Sequence, residues 1–157
     1  MTNPFPNLQA GNHHVTSPPD KLYNCFAWAA RYTDRWLDPD RPAGYWPAGI
    51  PLRLTLNTLT AVYAQHGYVR CDSPDHEAGY EKIAIYTDGR GIPTHAARQL
   101  PNGRWTSKLG GNIDIEHDTL DVLDGPTPAY GGAARYLRRP SPRSLSRETA
   151  EHWVTNT

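Results

Sequence analysis

The sequence predicts an α+β domain in which helices come first and an antiparallel sheet follows. Three observations carry this expectation. Residues 24–37 and 52–67 hold apolar side chains at helical spacing. Residues 83–86 and 133–137 read as short strands bounded by turn formers. Between them Asn102-Gly103 sits between two strand-like runs, and Asn-Gly in that setting is the strongest short-range hairpin signal.

Taken in order, residues 1–20 are rich in Pro, Asn, Gly and His and read as an extended lead-in to a domain over 21–138. The first helix places Phe26, Ala29, Ala30 and Leu37 on one stripe, with Thr33 its one polar member. Residues 38–47 form a loop by their breakers, and Tyr45 and Trp46 predict that it packs down on the body. Leu52, Leu56, Leu59, Val62 and Tyr63 mark a second helix closed by Gly67. Residues 68–71 read as a short strand, and Ile83-Ala84-Ile85-Tyr86 as a firmer one ended by Asp88-Gly89. Runs 95–100 and 104–108 form the hairpin, 119–123 a brief helix and 133–137 a last strand. The segment 139–157 is a polar, Arg-, Ser- and Pro-bearing tail, expected to be mobile and dispensable for folding.

Composition narrows the function. The 157 residues carry 16 basic and 16 acidic side chains, interspersed, so no electrostatic signature of nucleic acid or of a membrane surface is present. No apolar run reaches membrane-spanning length, and the N-terminus lacks the charged and apolar regions of a signal peptide. The expected location is cytoplasmic, with specialised secretion open. Two cysteines, Cys25 and Cys71, make no disulfide framework.

Cys25 is the residue with a prepared context. In Tyr23-Asn24-Cys25-Phe26-Ala27-Trp28 a polar cap precedes a good helix former, which puts Cys25 on a first helical turn. There the unpaired N–H groups and the helix dipole favour a thiolate. The later strand histidine, His95, is the matching base for a cysteine nucleophile, and Ala96 and Ala97 beside it leave room for approach. Asn24 is a helix cap or an oxyanion donor. Trp105, with Tyr45 and Trp46, is a candidate wall for a substrate groove. A third group should hold the imidazole. A two-residue turn at Asn102-Gly103 puts Thr106 on the face of His95, and a three-residue loop puts Ser107 there; Asp114, Glu116 and His117 are the other candidates. Ser107 completes the expected catalytic set of Cys25, His95 and Ser107. His13, His14, His95 and His117 show no paired metal-ligand spacing, and Asp88-Gly89-Arg90-Gly91 opens no convincing helix, so neither a metal nor a phosphate-bearing cofactor is expected.

A cysteine opening a helix before an antiparallel sheet with a strand histidine resembles the papain-like superfamily, including its NlpC/P60 and CHAP hydrolase branches. The stretches 23–29, 83–86, 94–100 and 103–110 also resemble a family of uncharacterised bacterial proteins, over roughly residues 20–138. In NlpC/P60 proteins the catalytic histidine precedes the strand that residues 83–86 resemble, and Glu81-Lys82 stand there instead. The papain-like alignment keeps His95 as base. The resemblance implies a cysteine hydrolase or acyltransferase acting on a peptide, glycopeptide or protein side-chain amide, such as a toxin, an effector or a defence-system protease. The alternative is an inactive scaffold of the same fold that binds a protein partner.

Overall fold

Residues 80–87 alternate Ile83 and Ile85 with Ala84 and Tyr86, apolar on both sides, as a strand buried on two faces requires. In the computed structural model, which describes residues 4–109 and 112–141, this strand lies inside a seven-stranded sheet. The elements in chain order are β1 (His13–Ser17), α1 (Cys25–Ala29), α2 (Leu56–Ala64), β2 (Val69–Cys71), β3 (Tyr80–Thr87), β4 (Pro93–Gln99), β5 (Trp105–Lys108), β6 (Asp114–His117), a 3-10 turn (Leu120–Leu123) and β7 (Gly132–Pro140). The sheet order is β1-β6-β5-β4-β3-β7-β2, with every neighbouring pair antiparallel.

The α+β, papain-like expectation is overturned. The described chain is dominated by its sheet, and its two α-helices have five and nine residues. The predicted long first helix stops at Ala29. Ala30 caps it, and Arg31 turns away at φ 71°, a left-handed conformation that no helix continues through. Two strands lie where the sequence shows no alternation signal. One is β1, inside the lead-in; the other is β6, whose Asp114, Glu116 and His117 are polar. The other expected elements occur, shifted at their ends by a few residues. Strand β7 runs to Pro140, into the start of the predicted tail, and residues 142–157 lie outside the described residues.

Strand parity sorts the core into two layers. Ile83, Ile85, Ala96 and Leu137 face α1 and α2 and pack with Phe26, Leu37, Leu59, Val62 and Tyr63. Ala84, Tyr86, Ala97, Trp105 and Ile115 face the other way, beneath Phe5, Val122, Leu123 and Tyr130. No helix among the described residues is long and apolar enough to cross a membrane.

Helix α2 holds to the sheet through Leu59, Val62 and Tyr63, all fully buried, and opens with a capping box between Thr55 and Thr58. Leu59→Ala leaves a cavity at the helix–sheet contact. It should cost roughly 2–5 kcal/mol, read as a lowered urea midpoint with an unchanged m-value.

Candidate functional site

Cys25 opens α1, and Asn24 sets where that helix begins. The Asn24 side-chain oxygen accepts from Ala27 N at 3.1 Å and from Leu37 N at 3.0 Å, while its Nδ2 donates to Leu37 O at 2.9 Å. Oxygen and nitrogen of its amide are both engaged, which makes Asn24 a cap and a clamp. Trp28 Nε1 donates to Thr106 Oγ1 at 3.0 Å, and Tyr63 OH donates to Phe26 O at 2.9 Å. The first bond ties α1 to β5 and the second ties it to α2, while α1 packs across β4 and β5.

The sulfur meets three backbone amides, those of Ala96, Phe26 and Cys25 itself. The β4–β5 ladder comprises Arg98↔Thr106 and Gln99↔Trp105, and beyond Arg98 the amide of Ala96 is turned to the sulfur. The donors favour a thiolate, but burial outweighs them. With the residue 6 % exposed, the thiol is pushed up to about 12. The expected thiolate at the helix start is thus corrected: Cys25 is a neutral thiol near neutral pH. A five-residue helix has too little dipole to offset desolvation of a charged sulfur.

His95 precedes Ala96 on β4 and, by parity, projects to the opposite face, where it is fully buried. Tyr130 stacks on its ring, centroids 4.2 Å apart and planes within 3°, and Tyr86 meets it edge-on at 5.3 Å. Burial also raises the Tyr130 hydroxyl, with a smaller electrostatic contribution from Cys25.

His95 Nε2 lies 2.9 Å from Ser107 Oγ, Ser107 Oγ 2.8 Å from His117 Nε2, and His117 Nδ1 2.9 Å from Thr119 O. The protons follow from one end of this chain. A carbonyl only accepts, so His117 Nδ1 carries a proton and, in a neutral ring, Nε2 is bare. Ser107 then donates to His117 and accepts from His95 Nε2–H, which leaves His95 Nδ1 unprotonated. That atom is buried and has no hydrogen-bond partner, so the structure does not pair it with the Cys25 thiol, which lies on the other face of the sheet. Both rings are neutral. Burial holds His95 well below its ordinary value and lowers His117 to about 4, against the opposing pull of the Thr119 carbonyl.

The remaining site candidates divide by face. Thr106 serves Trp28, Asp114 accepts from Tyr23 OH at 2.7 Å, and Glu116 pairs with Arg104 at 2.8 Å. Trp105 is 4 % exposed and lines a cleft of ≈ 520 Å³ with Gln99, Asp118, Asp124 and Tyr136, on the side away from α1. Tyr45 and Trp46 pack on the α1 side and share no groove with it. Lys82, standing where a histidine was sought, is fully buried and donates to Ser73 O at 2.7 Å and Glu77 at 2.9 Å, tying down the loop before β3. Tyr130 had no sequence signal, because it lies in a Pro- and Gly-bearing turn whose path only the fold fixes. Among the described residues no group of three or more His, Cys, Asp and Glu side chains is arranged to hold a metal.

Compared with known proteins, the chain matches a family model described as a domain of unknown function (DUF7689) over residues 14–138. No curated protein and no solved structure matches it.

Two expectations follow. Iodoacetamide on the native chain should modify half-buried Cys71 before Cys25, by at least about tenfold, and urea should abolish the difference when sites are counted by mass spectrometry. Stability should also fall with acid. Above pH 6.5 His117 is neutral in both states; between 6.5 and about 4 the unfolded chain takes the proton and the folded chain does not. His117 alone should therefore withdraw on the order of 3 kcal/mol across that window, with His95 acting in the same direction. His117→Gln should flatten this slope in urea melts run from pH 7 to pH 4.

Proposed function

The chain belongs to this DUF7689 family, and on that premise we propose that it is a cysteine hydrolase or acyltransferase acting on an amide, with Cys25 as nucleophile and His95 as base. One observation carries this reading. The hydrogen-bond chain from Thr119 leaves His95 Nδ1 as a bare base, one residue before Ala96, whose amide faces the Cys25 sulfur.

Two neutral partners define the chemistry. The thiol proton passes to His95 Nδ1 as sulfur bonds to the carbonyl carbon, and the amides that converge on the sulfur are donors for the developing oxyanion. The imidazolium returns that proton to the leaving amine, and water or a second amine then takes the acyl group. Ser107 and His117 are positioning residues: they keep Nε2 protonated and the ring in place. Ring and thiol project from two sides of β4 without a bond, and the ring is fixed by Tyr130 and Ser107, so proton transfer requires the backbone of β4 or α1 to shift when substrate binds. Substrates are peptide, glycopeptide or protein side-chain amides.

A second reading is a non-catalytic module that binds a protein partner. The burial of Cys25 and its thiol held near 12 favour it.

Acetylation by p-nitrophenyl acetate separates the two, with the adduct located by peptide mass spectrometry. The enzyme reading expects acetyl-Cys25, absent in Cys25→Ser and slowed roughly 10²-fold or more in His95→Gln. Because His95 stays neutral to low pH, the rate should show no fall on the acidic side between pH 8 and 6. Modification confined to Cys71 and surface amines would sink it in favour of the binding module.

A further inference from the structure

Arg98 is buried without a partner for its charge. It lies on β4, on the α1 side of the sheet, and is 7 % exposed. Its guanidinium stands 5.3 Å from the ring of Trp28. Among the described residues it makes no ion pair or hydrogen bond, and its Nε is buried and unsatisfied. A buried cation in that condition is costly unless something neutralises it.

The surrounding charges do not do so. Glu81 is the carboxylate that acts on Arg98, and it is already taken. Arg31 holds it with two bonds, at 2.7 and 3.3 Å, Tyr68 OH donates to it at 2.9 Å, and Arg139 approaches at 3.5 Å. Three guanidinium groups thus share one carboxylate. Like charge from Arg31 and Arg139 adds to burial in lowering the Arg98 pKa.

Arg98 lines a pocket of ≈ 320 Å³ together with Arg31, Tyr80, Glu81, Leu100 and Pro101. Arg31 and Arg98 bring two positive charges against the one negative charge of Glu81, and Tyr80, Leu100 and Pro101 supply apolar lining. We propose that this pocket is a binding site for an organic carboxylate, whose oxygens meet Arg98 and whose apolar group rests on Tyr80, Leu100 and Pro101. A single negative charge with an apolar body matches this pocket better than a free phosphate does, because phosphate leaves the apolar lining uncovered. The site rests on side chains other than the thiol pair and does not depend on chemistry at Cys25.

Thermal unfolding of the full chain at constant ionic strength tests it, with N-acetyl-leucine, N-acetyl-leucinamide and inorganic phosphate as probes. The acid should raise the midpoint by roughly 3–6 °C at about ten times its Kd, and the amide should not. The rise should vanish in Arg98→Met and shrink in Arg98→Lys, which keeps the charge but not the fork. Equal responses to acid and amide, no response to the acid, a full response in Arg98→Met, or a response to phosphate alone would each overturn the assignment. If Arg98→Met does not fold, the acid–amide comparison on the native chain decides. Running it in a Cys25→Ala chain excludes turnover as the source, so failure here leaves the thiol reading standing.

Discussion

One carbonyl, that of Thr119, sets the protonation of a whole buried face. It can only accept, so it fixes the His117 tautomer, then the direction of the Ser107 hydroxyl, then the His95 tautomer. His117, Ser107 and His95 are each fully buried, and a reversed proton anywhere would leave two donors or two acceptors opposed. Stacking by Tyr130 and the edge of Tyr86 remove the ring's rotational freedom. The result is an imidazole with one nitrogen committed and one bare, held without any carboxylate. A charged orienter would favour an imidazolium at rest; a serine hydroxyl does not, and burial keeps both rings neutral.

The same desolvation decides the state of Cys25, against a preference that the local sequence states clearly. A capped helix start is worth about 1–2 kcal/mol to an anion at best. Raising a thiol from 9.0 to about 12 corresponds to roughly 4 kcal/mol in the other direction. The larger effect wins, and α1 delivers a sulfur surrounded by amide donors that nonetheless keeps its proton. Any reaction there must move the proton and form the bond together.

On the α1 side of the sheet, several buried polar groups find specific partners. Asn24 closes on Leu37, Trp28 on Thr106, Tyr23 on Asp114, and Arg31 on Glu81. That side also explains why the first helix is short. Once Arg31 turns at φ 71°, its guanidinium reaches Glu81, and the following chain returns to place Leu37 against Asn24. Arg98 stands apart in this set: among the described residues it meets an aromatic ring and has no hydrogen-bonded anion of its own.

Local patterns determined much of the chain. The alternation of Ile83 to Tyr86, the Asn102-Gly103 turn, the Asn24 cap and the spacing of Leu59, Val62 and Tyr63 each act over a few residues, and each is found. Cys25 and His95 stood out by residue type and local setting. The sequence could not fix the hairpin register, which left Thr106 and Ser107 open. Pairing of Gln99 with Trp105 around the left-handed Gly103 decides it, sending 107 and 117 to the His95 face and 106, 114 and 116 to the other. Strands β1 and β6 pair across about a hundred residues, their polar composition giving no alternation to read, so they appear only when the sheet assembles. Burial is likewise a property of the whole. What the first helical turn offers Cys25 is local, but the water excluded around it, Arg98 and His95 is excluded by layers that meet only in the folded chain.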